Sequence, residues 1–186
     1  KIRRGDITSN EVIDEHTYIT GDLRIASGTT LTIQRKIYDV DKFISSTVVI
    51  FSALSDSGNL GSDPGKVEIL VDGTLSIQGQ NGSKISLRSS NDSGSEGDWW
   101  GVYLRTGASA SISFADVRHT DWGVTILSSG STSVTNSTFA NNALWDLKIG
   151  NASTTTVSGN SSRHGLSNRW TTRETGVVSC DLTSAN

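Results

Sequence analysis

The stretch that decides the fold runs from residue 100 to residue 157 and contains one pattern three times, as Trp100-Gly-Val-Tyr-Leu, Trp122-Gly-Val-Thr-Ile and Trp145-Asp-Leu-Lys-Ile. In each copy the Trp precedes one apolar residue by two positions and another by four. Strand alternation therefore predicts that the Trp and both apolar side chains share one face. Eight residues after each copy's last apolar residue comes another apolar residue flanked by hydroxyl side chains; these residues are Ile112, Val134 and Val157.

Outside this stretch, the same eight-residue spacing joins Ile25 to Ile33 and Ile69 to Ile77. A third short apolar segment recurs between these pairs, at 47–51, 84–87, 116–118 and 137–139. A fixed repeat of short strands and Ser, Gly and Asn turns is typical of a solenoid, in which each unit buries its apolar face against the next. We therefore predict an all-β solenoid of about five coils with three strands each.

These repeats resemble the right-handed parallel β-helix of pectate-lyase-like proteins and of bacterial or archaeal cell-surface proteins. The hand of the helix is implied by the resemblance alone, because the spacing does not fix it. Enzymes of this class that cleave acidic polysaccharides hold calcium with outward carboxylates and use a nearby Arg or Lys as the base. The resemblance thus implies an acidic polysaccharide as one class of partner.

The repeat frame divides the chain into an N-terminal arm or cap at 1–14, the β-helix at 15–162 and a C-terminal cap or tail at 163–186. The first two coils carry insertions. Residues 34–46 are predicted to form a short helix. Residues 52–65 and 88–98 are predicted to be loops, and both should lie on one edge because both follow the third strand.

The frame also predicts which side chains are buried. The three expected columns are Leu23, Val67, Val102, Val124 and Leu147; Ile25, Ile69, Leu104, Ile126 and Ile149; and Ile33, Ile77, Ile112, Val134 and Val157. Alternation further predicts an inward structural ladder of Trp100, Trp122 and Trp145; a Trp platform that binds sugar is the alternative. Trp99 is out of phase with its neighbour, so it is predicted to be exposed.

The composition favours an exported β protein. The chain has 186 residues, a net charge of -3, one Pro, one Cys and no Met, and it is rich in Ser, Thr, Gly and Asn. It has no basic stripe of the kind that nucleic acid requires and no apolar run long enough to span a bilayer. We interpret it as a processed or excised extracellular segment, in which Cys180 is a free thiol or an intermolecular link.

The strongest candidate for catalysis is the stretch 115–121. With Val117 inward, Asp116 and Arg118 should point outward, and His119 and Asp121 should follow in the next turn. Such a group could support calcium-assisted proton abstraction or hydrolysis by two carboxylates. An ordinary surface ion pair between Asp116 and Arg118 explains the same residues, and this alternative stays open.

A calcium site is a second candidate, because carboxylate oxygens are the ligands that Ca²⁺ prefers. The acidic residues of the two loops would supply them, and these are Asp56, Asp63, Asp92, Glu96 and Asp98. Solvated acidic loops are the alternative. Five sequons make this chain a candidate glycoprotein, and their acceptors are Asn81, Asn91, Asn136, Asn151 and Asn160.

We therefore expect a non-enzymatic structural or adhesive β-solenoid at the cell surface, which could associate with copies of itself through its coil ends to form a filament or surface layer. The alternative is a β-helix that binds or cleaves polysaccharide along the edge from Arg88 to Asp121. These two hypotheses differ in whether outward carboxylates perform chemistry.

Overall fold

The structure, a computed structural model, describes residues 1–36, 48–51, 56–91, 93–150, 154–162, 170–172 and 177–184. Within those ranges the chain forms eighteen β-strands and no helix. Every pairing between these strands is parallel. The all-β prediction is confirmed, and so is parallel pairing.

The strands are β1 (Ile2–Ile7), β2 (Glu11–Ile13), β3 (Thr17–Ile25), β4 (Thr30–Gln34), β5 (Val48–Phe51), β6 (Glu68–Val71), β7 (Thr74–Gln78), β8 (Ile85–Ser89), β9 (Gly101–Leu104), β10 (Ser109–Ser113), β11 (Ala115–Arg118), β12 (Val124–Ile126), β13 (Ser131–Thr135), β14 (Thr138–Ala140), β15 (Leu147–Ile149), β16 (Thr154–Ser162), β17 (Trp170–Thr172) and β18 (Val177–Ser184).

These strands form three ladders, and each repeat of the chain adds one strand to each ladder in turn. The first ladder contains part of β1, the second half of β3, and then β6, β9, β12, β15 and β17. The second contains β2, β4, β7, β10, β13, and parts of β16 and β18. The third contains the start of β3 and then β5, β8, β11, β14 and the end of β16.

The interior is filled by apolar side chains that repeat in register. The second ladder stacks Ile33, Ile77, Ile112, Val134 and Val157 as predicted, and all five are buried. Burying one such side chain stabilises the fold by about 1.5–3 kcal/mol. The third-strand segments that the sequence indicates also pair with one another, as Val49–Leu87, Leu87–Val117 and Val117–Phe139.

The first ladder departs from the predicted register by two residues. Leu23 lies opposite Ile69 rather than Val67, and Ile25 lies opposite Val71. Residues 26–29 join β3 to β4, whereas only Asp72 and Gly73 join β6 to β7. A Cβ atom on Gly73 would lie 2.3 Å from the Ala26 carbonyl oxygen. Only glycine therefore allows this two-residue turn to stack against the turn at 26–29. The constant eight-residue spacing therefore does not hold in the second repeat.

Pairing continues at both ends of the predicted repeats. Residues 5–7 of β1 pair with 23–25 of β3, and β2 pairs with β4, so residues in the predicted arm belong to the same ladders. At the other end, β17 pairs with β15 and β18 with β16. The predicted helix at 34–46 falls mostly on residues 37–47, which lie outside the described residues.

In the described part of the chain, no helix is long and apolar enough to cross a bilayer.

Candidate functional site

The outer face of the first ladder carries the most distinctive group of side chains. Tyr103, Thr125 and Lys148 occupy the same outward position on β9, β12 and β15, because each lies between two inward-pointing residues of its strand. Trp100 and Trp122 precede β9 and β12 at the adjacent corner. Their ring centroids are 5.9 Å apart, with the ring planes tilted by 41°.

These side chains border a cleft of about 130 Å³ whose walls combine aromatic, hydroxyl and cationic groups. The Lys148 ammonium nitrogen lies 4.2 Å from the Trp122 ring centroid, in a cation–π arrangement. Ser62 enters from the loop before β6, and Leu127 comes from the end of β12. We call this group of residues, together with Trp100, Tyr103 and Thr125, the aromatic cleft.

Thr125 lies at the base of the aromatic cleft and is only 4% exposed. Its hydroxyl oxygen is buried and makes no hydrogen bond among the described residues. A buried hydroxyl without a partner costs about 1–3 kcal/mol relative to a satisfied one. This oxygen has almost no accessible surface, so the unpaired hydroxyl is shielded inside the fold.

The orientation of the tryptophans contradicts the prediction. Trp99 is fully buried, and its indole Nε1 donates to the Arg118 carbonyl oxygen at 2.8 Å. Trp100, Trp122 and Trp145 are partly exposed. The predicted inward ladder and the predicted exposed Trp99 are both wrong.

For Trp100 and Trp122 the cause is the glycine that follows each of them, at the start of β9 and just before β12. Gly101 has φ of +127° and Gly123 has φ of +49°, so the backbone is not extended there and the alternation parity changes. A Cβ atom on Gly101 would lie 2.5 Å from the carbonyl oxygen of Gly123. A Cβ atom on Gly123 would lie 2.0 Å from the carbonyl oxygen of Asp146. The glycines thus permit close stacking of successive corners and turn the side chains of Trp100 and Trp122 outward, whereas Trp145 is followed by Asp146 and has no such glycine.

The loop that contributes Ser62 is held down by buried carboxylates. Backbone N–H groups of Leu60 and Gly61 donate to Asp22 Oδ2 at 2.7 and 2.6 Å. Those of Ser62 and Asp63 both donate to Glu68 Oε1 at 2.7 Å. These four bonds fix the loop across the outer face of β6.

Burial raises the pKa of the Glu68 carboxyl to about 7, and the nearby Asp22 and Asp63 carboxylates act in the same direction, while the two backbone donors oppose them. Burial likewise raises the pKa of Asp22. Glu68 Oε2 makes no hydrogen bond among the described residues. Glu68 therefore accommodates a proton near neutral pH.

The predicted catalytic residues separate into three different environments. Asp116 and Arg118 form an ion pair on the surface of β11, with Nε and Oδ1 2.9 Å apart. Asp121 pairs instead with Lys66 from the preceding loop. His119 is buried beneath Gly94, and burial lowers the pKa of its imidazole. The four side chains do not share one hydrogen-bonded group.

The predicted calcium ligands act largely as caps for backbone N–H groups. Asp56 accepts from the N–H groups of Asp22, Gly58 and Asn59. Asp63 accepts from Gly65, and Asp98 from Ser95. Asp92 lies outside the described residues, and Glu96 is exposed. Among the residues that the structure describes, no three acidic, His or Cys side chains form a group that could hold a metal ion.

The five sequon asparagines differ in accessibility. Asn81, Asn91 and Asn136 are exposed, whereas Asn151 lies outside the described residues. Asn160 is fully buried: its Oδ1 accepts from the Ser137 N–H and its Nδ2 donates to the Val134 carbonyl, each at 2.8 Å. The folded chain therefore does not present Asn160 to a glycosylating enzyme.

Sequence reasoning missed a buried polar network beside the corner of β12. Asn142 Oδ1 accepts from both the N–H and the hydroxyl of Thr120, and its Nδ2 donates to Asp146 Oδ1 at 2.7 Å. Ser162 donates to the other Asp146 oxygen. It also missed Tyr103, Thr125 and Lys148, although the polar position between the two inward residues of each repeat could have indicated them.

Comparison with protein-family models, curated proteins and solved structures finds no match to this chain.

Proposed function

We propose that this chain is a non-enzymatic, right-handed parallel β-helix that serves as a structural or adhesive module of an exported, cell-surface protein. The observation that carries the proposal is how the acidic side chains are used. Asp22, Asp56 and Glu68 accept backbone N–H groups of the loop at 56–66, while Asp116 and Asp121 are in ion pairs. These carboxylates therefore make contacts that stabilise the fold.

The ladders support the β-helix architecture. Each repeat passes through the first, second and third ladder in the same order, and successive strands in each ladder are parallel and in register. A parallel strand that returns to its own sheet through a crossover does so with a right hand in about 98% of cases. The Ser, Thr and Gly-rich composition supports an exported location.

The proposal is tested by a search for polysaccharide cleavage. The purified chain is incubated with a panel of acidic polysaccharides, with and without Ca²⁺, and new reducing ends and unsaturated products are assayed. We expect no product above the buffer control. Product formation that Asp116→Ala or Arg118→Ala abolishes, without a change in Tm, would overturn the non-enzymatic proposal and establish the edge from Arg88 to Asp121 as an active site.

A second candidate function is self-assembly into a filament or surface layer through the coil ends. It is favoured by the strand edges: β1 and β2 each have a parallel neighbour on one side only among the described strands. Unpaired backbone groups at such an edge can accept another chain. Light scattering with negative-stain microscopy separates the candidates, because a structural module stays at monomer mass whereas a filament subunit grows with concentration.

A further inference from the structure

We propose that one corner of the first ladder, with the strand face beside it, binds the surface of an anionic phospholipid bilayer. The side chains concerned extend over three successive repeats. We call them the aromatic patch, and its members are Trp100, Trp122, Leu127, Leu144, Trp145 and Lys148. The inference goes beyond the structural-module proposal, because it assigns a partner to one surface and needs no catalytic group.

Stacked corners of the backbone bring the members of the patch together. The Trp122 N–H donates to the Trp100 carbonyl oxygen at 3.0 Å. In the next repeat, the N–H groups of Leu144 and Trp145 donate to the Asp121 carbonyl oxygen at 2.8 and 3.2 Å. Four of the six members also border the aromatic cleft. The patch is therefore one continuous surface, and the backbone ladder sets its shape.

Exposed apolar groups are the first indication of a lipid partner. Leu127 is 38% exposed and Leu144 is 48% exposed. The three tryptophans of the patch are partly exposed. Tryptophan combines a large apolar ring with a polar N–H, and it is enriched where the headgroups of a bilayer meet its hydrocarbon. Contiguous exposed side chains of this kind mark contacts with membranes or with proteins.

The size of the patch distinguishes between these two partners. A stable protein interface takes about 20–30 residues from each side. The aromatic patch has only six members. A bilayer requires no such extended complementary surface, because its binding strength grows with each apolar group that enters the boundary region. The patch therefore fits a lipid surface better than it fits a second protein.

The cation indicates the charge of the lipid. The Lys148 ammonium nitrogen lies 4.2 Å from the Trp122 ring centroid, and no ion pair is observed for it among the described residues. The acidic residues of the same corners do not oppose it, since Asp121 pairs with Lys66 and Asp146 is fully buried. A lysine beside exposed tryptophan and leucine is suited to the phosphates of anionic headgroups.

Vesicle binding tests the proposal. The purified chain is mixed with vesicles of phosphatidylcholine alone, or of phosphatidylcholine and phosphatidylglycerol in equal amounts. We expect it to sediment with both. Binding to the anionic vesicles should be about fivefold stronger at about 0.15 M salt, where distant charges are screened and one lysine acts at the surface. Lipid that carries bromine on its acyl chains should quench part of the Trp fluorescence.

Two results with the wild-type chain would contradict the proposal. If the chain sediments with neither vesicle and its fluorescence is not quenched, the aromatic patch does not bind lipid. If it binds both vesicles equally, the lipid surface need not be anionic and the assignment of Lys148 to the headgroups is wrong.

Variants locate the binding. Leu144→Ser should weaken binding to both vesicles by about fivefold, because it removes a half-exposed apolar side chain that the bilayer would cover. Lys148→Gln should remove the preference for anionic vesicles, whereas Lys148→Arg should keep it. Both positions are at least partly exposed, so the variants should keep the Tm of the wild type.

Val12→Ser is the matched control. Val12 is 51% exposed on β2, which belongs to the second ladder, so the control makes the same kind of change away from the patch. It should leave vesicle binding unchanged. If Val12→Ser and Leu144→Ser weaken binding equally, the aromatic patch is not the site.

Light scattering distinguishes a lipid partner from a second copy of this chain. A mean mass that rises with concentration, and that Leu144→Ser returns to the monomer value, would assign the patch to self-association if no vesicle binds. Failure of vesicle binding leaves the structural-module proposal standing, because that proposal is tested by the search for polysaccharide cleavage.

Discussion

Glu68 shows how a single carboxyl group can link pH to the stability of a loop. Its side chain is fully buried, and it accepts two backbone N–H groups of the loop that also supplies Ser62 to the aromatic cleft. Its pKa of about 7 in the folded chain lies above the ordinary value of 4.5. Between these two values the folded chain binds more protons than the unfolded chain, so its stability falls as pH rises.

We therefore predict that Glu68→Gln makes the chain more stable than the wild type at pH 8 but not at pH 4. The Gln amide oxygen can still accept hydrogen bonds from both backbone N–H groups. Because Gln carries no charge, the variant avoids the cost of ionising a buried carboxyl group at pH 8. The gain at pH 8 should be on the order of 1 kcal/mol. Urea unfolding at a series of pH values measures it.

The control for this prediction is Glu15→Gln, since Glu15 is half-exposed and its ion pair with Lys1 is long, at 3.8 Å. That variant should follow the wild type at every pH. If Glu68→Gln and the wild type show parallel pH profiles, Glu68 is ionised in the folded chain and the linkage argument fails. Asp22 has a raised pKa too, so some pH dependence should remain in the variant.

At the scale of elements, Gly101 at the start of β9 and Gly123 just before β12 decide which face Trp100 and Trp122 occupy. Gly123 combines a positive φ with a close approach to the Asp146 carbonyl oxygen. Gly107 has a positive φ of +87°, but a Cβ there would meet nothing within 4 Å. Comparing an Ala substitution at Gly107 with one at Gly123 therefore distinguishes the cost of backbone strain from the cost of a steric clash.

We predict that Gly107→Ala lowers the unfolding free energy by about 1–2 kcal/mol, which is the cost of a left-handed conformation for an L-residue. Gly123→Ala should cost at least about twice as much, because the new methyl group also pushes β12 away from the next corner. Chemical denaturation of both variants measures the difference. Equal losses would mean that the corner relaxes freely and that stacking of corners does not require glycine.

The corners also explain which parts of the fold the sequence can predict. The second ladder follows from spacing alone, because β4, β7, β10 and β13 are uninterrupted alternating strands. The side-chain directions of Trp99 and Trp100 could not be read in this way, because a positive φ at Gly101 breaks the alternation between Trp100 and Val102. The two-residue turn at Asp72 and Gly73 shifts the first ladder for a similar reason.

The candidate site was harder to predict than the fold. The aromatic cleft joins β9, β12 and β15 to Ser62, and the loop that carries Ser62 is attached through Asp22, 38 residues away from Leu60 along the chain. No local spacing encodes such a contact. The candidate residues at 116–121 were selected by their chemistry, yet Asp116, Arg118 and Asp121 are in ion pairs once the loops pack, and His119 is buried.

At the scale of the whole molecule, the N-terminal edge carries an arrangement that opposes end-to-end stacking. Arg3 lies in register with buried Ile19, and Glu11 with buried Leu31, so both charged residues occupy positions of the inward columns. They form an ion pair with each other across the end of the apolar interior. Inward-pointing charges at a sheet edge are a common protection against association with another chain.

We predict that replacing both charges, as Arg3→Leu with Glu11→Leu, causes association that increases with protein concentration. The variant exposes an apolar layer above Ile19 and Leu31 next to unpaired backbone groups of β1 and β2, and a second chain can cover both. Light scattering should show a rise in mean mass relative to the wild type, and electron microscopy should show short stacks rather than amorphous aggregates.

The matched control replaces an outward ion pair of the same kind, Asp6→Leu with Arg24→Leu. These side chains are 36% and 38% exposed, so the control makes the same change in charge and apolar content away from the interior. If both double variants associate equally, added surface leucine is the cause and the position of the charges is immaterial. If only the inward pair matters, the Arg3–Glu11 ion pair keeps this end of the chain closed. A wild-type chain that already forms ordered stacks through this end would show that the pair does not block it, and would favour the filament candidate.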